Sequence, residues 1–311
     1  MTARRSAGPV VVRAGVRAGD RDRTLVVVGS REAPPGRDLV LVLHGSRQDG
    51  AGLRRVTGAA LDVLAARDGA VVAYLDGYRG AWNDARRRNR FPARRDGVDD
   101  VAFVRAVVDR LADTHGTDPD RVHAVGFSNG GLMALSLLHV DHPPLAGAAV
   151  VAMTMPAPDD FGLPVGPATR PVPVLLVHGT ADRVVPYAGG RVPWWVRRVF
   201  HVDGLSASAP ATAAYLARRN GITGPPVTGA VEPPPGPARR ATGRGLRAEA
   251  LTYARDGRPP VVLVTVHGGG HTVPGPRRGP RRLGRTATVP TADLVAPVLG
   301  IGTGGGGGAG D

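Results

Sequence analysis

The 311-residue chain contains no cysteine and no lysine, and each absence narrows its chemistry. Without cysteine there is no disulfide, no thiolate metal ligand and no cysteine nucleophile. All 40 basic residues are therefore arginine, which is typical of a GC-rich coding sequence. The formal net charge of +14 would attract polyanions, but an arginine-rich solvated surface explains it more simply. We therefore predict that no nucleic acid is a partner.

Long apolar runs are also missing. The N-terminal segment holds only the short apolar run "PVVV" before Arg13, which is too short for the apolar part of a signal peptide. No run approaches the roughly 20 apolar residues that a membrane-spanning helix needs. We expect a cytoplasmic protein with no membrane partner, and the oligomeric state stays open.

What the chain does contain is a series of short apolar runs separated by segments with helical spacing. Such β-branched runs are typical of strands buried on both faces of a sheet. The predicted strands are residues 24–28, 39–43, 70–75, 121–127, 147–153, 172–179 and 260–268. The predicted helices are residues 50–67, 98–113, 129–140 and 208–220. This alternation predicts an α/β fold with a mostly parallel central sheet covered by helices.

Two other segments bear on domain organisation. Residues 222–245 are rich in proline and glycine and are predicted to form a long connecting loop, because an apolar strand of the same sheet follows. The glycine-rich residues 301–311 cannot bury apolar surface and are predicted to form a disordered tail. We interpret residues 1–300 as one domain.

One serine lies between two glycines where a predicted strand meets a predicted helix, in "VHAVGFSNGG". Because the chain has 45 glycines, a G-x-S-x-G match is weak evidence alone. The strand, turn, helix context is the one that a nucleophile elbow requires, and Gly126 and Gly130 would leave room for its tight turn. We therefore predict that Ser128 is a nucleophile.

A serine nucleophile needs a base to take its proton and an acid to orient that base. In a parallel sheet these groups come from the carboxyl ends of later strands. Asp182 follows strand 172–179, and His271 lies in the glycine-rich loop after strand 260–268. We predict Asp182 as the acid and His271 as the base. His267, at the strand end, is the main rival of His271. The other candidates weighed are His139, His142, His201, Asp159 and Asp160.

An oxyanion hole requires two backbone N–H groups aimed at the carbonyl oxygen. One comes from the residue after the nucleophile, Asn129, and the other from a loop after an early strand. The segment "LVLVLHGSRQDG" supplies such a loop, in which Ser46 is the predicted donor through its amide. We assign His44, in the same loop, to the substrate pocket.

Aromatic residues are scarce, at 4% of the chain, so the pair in "RVPWWVRRVF" is conspicuous. Trp194 and Trp195 follow the predicted acid loop, and Trp82 lies in "AWND". Loops are where such folds build specificity. We predict that these three tryptophans line the substrate pocket; the alternative is that they pack a covering segment onto the core.

Taken together, these segments resemble the polyhydroxybutyrate depolymerase-like and feruloyl esterase-like branch of the α/β-hydrolase superfamily. The likeness runs from about residue 24 to about residue 285 and rests on "LHGSRQDG", "GYRGAWNDAR", "GVDDVAFVRAVVDRLA", "DPDRVHAVGFSNGGLMA", "HGTADRVVPYAGG", "ATAAYLARRNGIT" and "GGGHTVPG". The resemblance implies an α/β-hydrolase fold, with Ser128, Asp182 and His271 as its triad and the Ser46 and Asn129 amides as its oxyanion donors. Many such relatives are secreted, which keeps export open as an alternative.

The predicted function is that of a serine esterase acting on small soluble or oligomeric esters, without metal or cofactor. Two alternatives remain at this point. The same triad serves an acyltransferase, which admits an alcohol in place of water. A non-catalytic protein of the same fold would instead use the basic run 276–285 to bind an anion.

Overall fold

The computed structural model describes residues 9–32, 34–231, 246–275, 277, 281–287 and 289–303. Its strands are β1 (Val10–Ala18), β2 (Arg21–Gly29), β3 (Arg37–Leu43), β4 (Val71–Leu75), β5 (Thr117–Phe127), β6 (Gly147–Val151), β7 (Val174–Gly179), β8 (Gly190–Arg191), β9 (Leu205–Ser206), β10 (Val227–Ala230), β11 (Ala248–Arg255) and β12 (Arg258–Val266). Its α-helices are α1 (Gly50–Val56), α2 (Val63–Arg67), α3 (Pro92–Arg95), α4 (Asp100–His115), α5 (Asn129–Leu137), α6 (Trp194–Phe200), α7 (Ala209–Arg219) and α8 (Thr291–Leu299). Two 3-10 helices cover Pro158–Asp160 and Arg281–Leu283.

In the described part of the chain, ten strands form one sheet in the order β1-β2-β4-β3-β5-β6-β7-β12-β11-β10. The six strands from β4 to β12 in this order are parallel to one another, and the outer strands on both sides pair antiparallel. Each of the seven predicted strands is present. The prediction of a mostly parallel central sheet is confirmed, and parallel order puts the carboxyl ends of β5, β7 and β12 at one edge.

The sheet buries both of its faces, as its continuous apolar strands require. Along β3, Leu39, Leu41 and Leu43 belong to one apolar cluster, while Val40 and Val42 belong to another on the opposite face. Side chains from α4, α5 and α7 complete the first cluster, and side chains from α1, α2 and α8 complete the second. Helices therefore cover both faces, as predicted.

The predicted helix at residues 50–67 is interrupted. Gly58 and Ala59 both adopt positive φ, at 68° and 58°, which ends one helical segment before the next begins. The structure accordingly has α1 and α2 in this region. The predicted helices at residues 98–113, 129–140 and 208–220 correspond to α4, α5 and α7.

The sequence did not predict three strands of the ten-stranded sheet, β1, β10 and β11, nor the short pair β8 and β9. The segment 222–245 was expected to lack regular structure, but β10 lies inside it and pairs with β11. All four β10 residues are exposed, so this strand has no apolar signature, and backbone pairing alone defines it. The predicted disordered tail begins too early, because Ile301 is buried in the core and the Gly302 N–H donates to Asp38. Residues 232–245 and 304–311, which carry the rest of the loop and tail predictions, lie outside the described residues.

A short covering segment lies over the carboxyl edge of the sheet. It contains α6, and its Val196 and Val202 pack with Ala81 and Phe91 in a small apolar cluster of their own. Strands β8 and β9 pair on either side of α6 along the chain. Among the described residues, no helix has the length and hydropathy needed to cross a bilayer.

Candidate active site

Three polar side chains meet at the carboxyl edge of the sheet. Ser128 directly follows β5, Asp182 lies three residues after β7, and His271 lies five residues after β12. The His271 Nε2 atom is 2.9 Å from the Ser128 Oγ atom, and its Nδ1 atom is 2.8 Å from an Asp182 carboxylate oxygen. The structure thus brings together the three residues predicted as nucleophile, acid and base.

Ser128 occupies a strained turn between β5 and α5. Its φ of 54° and ψ of −118° are rare for a residue with a side chain, and such strain persists only where the surroundings enforce it. The Ser128 N–H donates to the Val151 carbonyl at 2.9 Å. A Cβ at Gly126 would overlap the Gly130 carbonyl, and a Cβ at Gly130 would overlap the Leu43 carbonyl. The turn can therefore form only with glycine at both positions.

Asp182 fixes the orientation of the His271 ring. Its side chain is fully buried, and one carboxylate oxygen accepts the N–H groups of Val184 and Val185 at 2.8 and 2.9 Å. The other oxygen faces His271 Nδ1. Because a carboxylate can only accept, the Nδ1 atom carries the proton, which leaves the Nε2 lone pair for the Ser128 hydroxyl.

A second histidine also approaches Asp182. The His178 Nε2 atom donates to the Val185 carbonyl at 2.9 Å and lies 3.5 Å from the Asp182 carboxylate. Burial alone would raise the pKa of Asp182, but hydrogen bonds from His178 and His271 outweigh it and hold that pKa well below its usual range. The carboxylate is therefore ionised at neutral pH.

The two predicted oxyanion donors face the same cavity as Ser128. Within the described residues, no acceptor engages the Ser46 amide, which lies in the turn after β3. Asn129 is the first residue of α5, and amides in the first turn of a helix have no partner inside that helix. Both N–H groups are thus available to a substrate oxygen.

The Asn129 side chain has a separate structural function. It is buried, its Oδ1 atom accepts the Trp82 backbone N–H at 2.9 Å, and its Nδ2 atom donates to Asp84 at 2.6 Å. Asp84 in turn forms two hydrogen bonds with the Arg86 guanidinium. This network fixes the first turn of α5 against the segment that follows β4.

The assignments of Trp82 and His44 to the substrate pocket are wrong. Both side chains are fully buried behind the loop after β3 that carries Ser46. There the Trp82 indole N–H donates to the His44 carbonyl at 2.9 Å. The His44 ring donates to the Gly45 carbonyl and accepts the Gly77 N–H, so both of its nitrogens are satisfied. Burial lowers the pKa of His44. These residues support the loop and do not contact the cavity.

A cavity of about 480 Å³ opens above Ser128. Its wall is largely apolar and includes Phe91, Phe127, Met153 and several side chains of α6. Of the predicted tryptophans, the half-buried Trp195 lines this cavity, whereas Trp194 is 71% exposed and does not. The two indoles differ because successive residues of a helix point in different directions.

The other histidines and aspartates considered as base or acid lie outside the site formed by Ser128, Asp182 and His271. His267 is exposed, and the buried Asp160 accepts the Leu205 N–H and pairs with Arg88. Asp159, His142 and His201 are exposed, and His139 is held between Leu135 and Tyr215. Among the described residues, no group of three or more His, Cys, Asp or Glu side chains is arranged to hold a metal ion.

Sequence reasoning missed His178 and Asp84. His178 is four residues before Asp182 in "VHGTAD", at the end of β7, so its position at the same strand end was a usable signal. Asp84 lies in "AWND", a segment in which only Trp82 was predicted to have a function. Nothing in the local pattern indicates that its carboxylate reaches Asn129, because the two residues are 45 positions apart.

Comparison with known proteins identifies esterase relatives. The profile of the Phospholipase/Carboxylesterase family matches residues 76–192. The chain is 35% identical over 259 residues to the "Putative esterase NocK" of Nocardia uniformis subsp. tsuyamanensis, covering 79% of this chain and 68% of that protein. It is 30% identical to feruloyl esterase B of Piromyces equi, covering 69% of this chain and 36% of that longer protein.

The fold also matches that of a solved structure. The acetyl xylan esterase from Aspergillus awamori superposes with a TM-score of 0.60 at 15% identity, covering 93% of this chain and 99% of that chain. At such identity the match concerns architecture alone. With the sequence relatives, it leads to one conclusion: this chain belongs to the esterases of the α/β-hydrolase superfamily, serine hydrolases that act on carboxylic ester bonds.

Proposed function

We propose that this chain hydrolyses small carboxylic esters through an acyl-enzyme formed on Ser128. The observation that carries the proposal is the continuous hydrogen-bonded chain from Ser128 Oγ through the His271 ring to the buried Asp182 carboxylate. This arrangement supplies a nucleophile, a base with the correct tautomer and an acid that stabilises the charged base.

The first half of the reaction forms the acyl-enzyme. His271 Nε2 takes the Ser128 proton as Oγ attacks the ester carbonyl carbon, and the Asp182 carboxylate stabilises the resulting imidazolium. The Ser46 and Asn129 amides donate to the oxyanion of the tetrahedral intermediate. When that intermediate collapses, His271 returns the proton to the departing alcohol oxygen, and the acyl group stays on Ser128.

The second half regenerates the enzyme. A water molecule gives a proton to His271 and attacks the acyl carbonyl through the same oxyanion site. Collapse of the second intermediate returns the proton to Ser128 Oγ and releases the carboxylic acid. The cavity of about 480 Å³ has the size of an ordinary small-molecule pocket, which is consistent with a small soluble ester as substrate.

The test compares wild type with Ser128→Ala on 4-nitrophenyl acetate. We expect kcat of the variant to fall by at least about 10⁴-fold, because loss of the nucleophile leaves only binding and the oxyanion donors. Ser136→Ala is unsuitable as a control because its hydroxyl is buried and donates to Leu132. Ser206→Ala, in β9, removes a hydroxyl outside this cavity and is expected to retain full activity. Equal turnover by wild type and Ser128→Ala would refute the mechanism.

A feruloyl ester and an acetylated xylan oligomer extend the test to the substrates that the relatives' names describe. Product analysis with an added alcohol measures acyl transfer beside hydrolysis. Transfer products that exceed the free acid would identify the chain as an acyltransferase on the same triad.

A further inference from the structure

The charged side chains that line the cavity above Ser128 are arginines. Within the described residues, its lining includes Arg47, Arg86 and Arg282 but no aspartate or glutamate. Arg86 is neutralised, because its guanidinium lies against the buried Asp84 carboxylate at 2.6 Å. Arg47 and Arg282 have no carboxylate partner among the described residues. Two uncompensated positive charges therefore border a cavity whose remaining wall is mostly apolar.

Arg47 lies next to a predicted oxyanion donor, and Arg282 lies next to the residue that holds the backbone of His271. Arg47 directly follows the oxyanion donor Ser46, and its backbone is fixed in a φ of 60° by donation of its N–H to the Gly80 carbonyl at 2.7 Å. Arg282 precedes Leu283, whose carbonyl accepts the His271 N–H at 2.7 Å. Each guanidinium is thus attached to a backbone segment that also positions a reacting or stabilising group.

Arg47 is held in place but is not saturated. One of its terminal nitrogens donates to the Val199 carbonyl at 2.7 Å, and its guanidinium lies 5.3 Å from the centre of the Phe200 ring. A guanidinium carries five N–H donors, so most of the donors of Arg47 remain free. These contacts with the end of α6 restrict the side chain before any ligand arrives, which lowers the entropy cost of binding.

The surroundings add to the positive potential. A second cavity of about 480 Å³ shares Val202 with the first. Its charged lining consists of Arg87, Arg88, Arg90, Arg197 and Asp203. Arg88 and Arg197 pair with Asp160 and Asp203, which leaves Arg87 and Arg90 without a carboxylate partner among the described residues. A concentration of one sign of charge around a cleft raises the local concentration of ligands of opposite sign.

From these observations we infer that the ester which this site takes carries an anionic group, a carboxylate or a group of similar charge, bound by Arg47 and Arg282 beside the scissile bond. Guanidinium groups match the geometry of carboxylates and bind them through paired, charge-assisted hydrogen bonds. The inference rests on the proposed esterase function and narrows its substrate class from esters in general to anionic esters.

The test uses two pairs of esters that differ in one charge. On the acyl side, 4-nitrophenyl hydrogen adipate is compared with 4-nitrophenyl hexanoate; on the alcohol side, 4-acetoxybenzoate is compared with 4-acetoxybenzamide. The measured quantity is the ratio of kcat/KM for the anionic ester to that for its neutral partner. We expect this ratio to exceed one by about tenfold in at least one pair, because hydrogen bonds to charged groups are worth at least that factor. The pair that responds identifies which half of the ester bears the charge.

Variants then assign the preference to the two arginines. Arg47→Gln and Arg282→Gln, singly and together, are expected to lower the ratio, with the double variant reaching about one. The matched control is Arg110→Gln with Arg218→Gln, which removes the same two charges from exposed positions on α4 and α7 outside the cavity. Arg47→Lys keeps the charge without the planar fork and is expected to retain part of the preference.

The outcomes separate the two proposals. Turnover of the neutral esters with no preference for the anionic ones would refute the anionic substrate class and leave the esterase function intact. A preference that survives the double variant would equally refute the role of these arginines. If Ser128→Ala hydrolyses both kinds of ester as fast as wild type, the proposed function itself fails, and the inference fails with it.

Discussion

The buried side chain of Asn129 shows how one residue can combine a backbone function with a side-chain function. Its amide faces the cavity, while its side chain accepts from Trp82 and donates to Asp84 in the core. Replacement of this side chain by alanine would leave the buried Trp82 N–H without a partner, at a cost of about 1–3 kcal/mol, and would remove one of the hydrogen bonds to the buried Asp84 carboxylate, which keeps those from Arg86. The side chain therefore stabilises the fold and also fixes the position of the amide.

Asn129→Ala is predicted to lower the free energy of unfolding by roughly 2–4 kcal/mol and kcat on 4-nitrophenyl acetate by about tenfold or more. Urea unfolding and steady-state kinetics, the latter at a temperature where the variant is folded, measure the two effects. Asn83→Ala is the control, because Asn83 donates to the Val98 carbonyl outside the cavity and should change kcat little. A destabilised Asn129→Ala variant with unchanged kcat would limit this side chain to a structural role.

For individual residues, the sequence predicted which polar side chains meet but not which aromatic side chains line the pocket. Ser128, Asp182 and His271 could be selected because parallel strands end at one edge and chain order limits the choice. Trp82 and Trp194 were misassigned because the scarcity of aromatic residues says nothing about the direction of a side chain. Trp82 lies between regular elements, where neither the period of two nor that of 3.6 applies, and Trp194 lies on α6, a helix that the sequence did not predict.

Among the elements, the β5 turn into α5 depends on close contact with β3. The Gly130→Ala variant is predicted to lose roughly 3 kcal/mol or more of unfolding free energy, because the added methyl group would overlap the Leu43 carbonyl of β3. Gly229→Ala in β10 is the matched substitution, since a Cβ there meets no atom within 4 Å. Thermal unfolding of both variants measures the contrast. Equal melting temperatures would contradict the tight packing of this turn.

A buried carboxylate near the start of β3 joins three elements. Asp38 accepts hydrogen bonds from Arg121 and His123 of β5 and from the Gly302 N–H after α8. Burial by itself would raise the pKa of Asp38, but these hydrogen bonds outweigh it and lower the pKa from 3.8 to about 2. A lowered pKa in the folded state means that the ionised carboxylate stabilises the fold above pH 4, and that this contribution is lost as pH falls through about 2.

Asp38→Asn is therefore predicted to remove a pH-dependent contribution of about 2 kcal/mol. The difference in unfolding free energy between wild type and variant should be constant above pH 5 or so and should shrink by that amount towards pH 2. Urea unfolding at stepped pH measures it, and Asp113→Asn serves as an exposed carboxylate control. A difference that stays constant down to pH 2 would contradict the lowered pKa.

Two of the three strands of the large sheet that sequence analysis missed share a physical cause. Apolar runs reveal strands that are buried on both faces, such as β3 and β6. β1 and β10 are the outermost strands of the sheet and are largely exposed, so their side chains carry no such constraint. Pairing with a neighbouring strand places them in the sheet, and pairing partners are not encoded in local composition.

The whole molecule carries a formal net charge of +14, yet the sequence analysis predicts no nucleic-acid partner. Many arginines are engaged with carboxylates in separate parts of the fold. Arg54 pairs with Asp62, Arg67 with Asp68 and Asp293, and Arg191 with Asp203. Outside the two cavities, positive charge that is dispersed and locally paired attracts polyanions weakly.

We accordingly predict that duplex DNA binds this protein only at low ionic strength. Retention on a DNA column at about 50 mM salt should be lost by about 200 mM, because non-specific binding depends on counterion release and falls steeply with salt. The Arg47→Gln and Arg282→Gln double variant should elute with the Arg110→Gln and Arg218→Gln control, since only the number of charges matters for such binding. Retention that persists at 200 mM salt and is lost in the cavity variant alone would instead identify an anion-binding surface at the active-site mouth that serves a polyanion and not an ester.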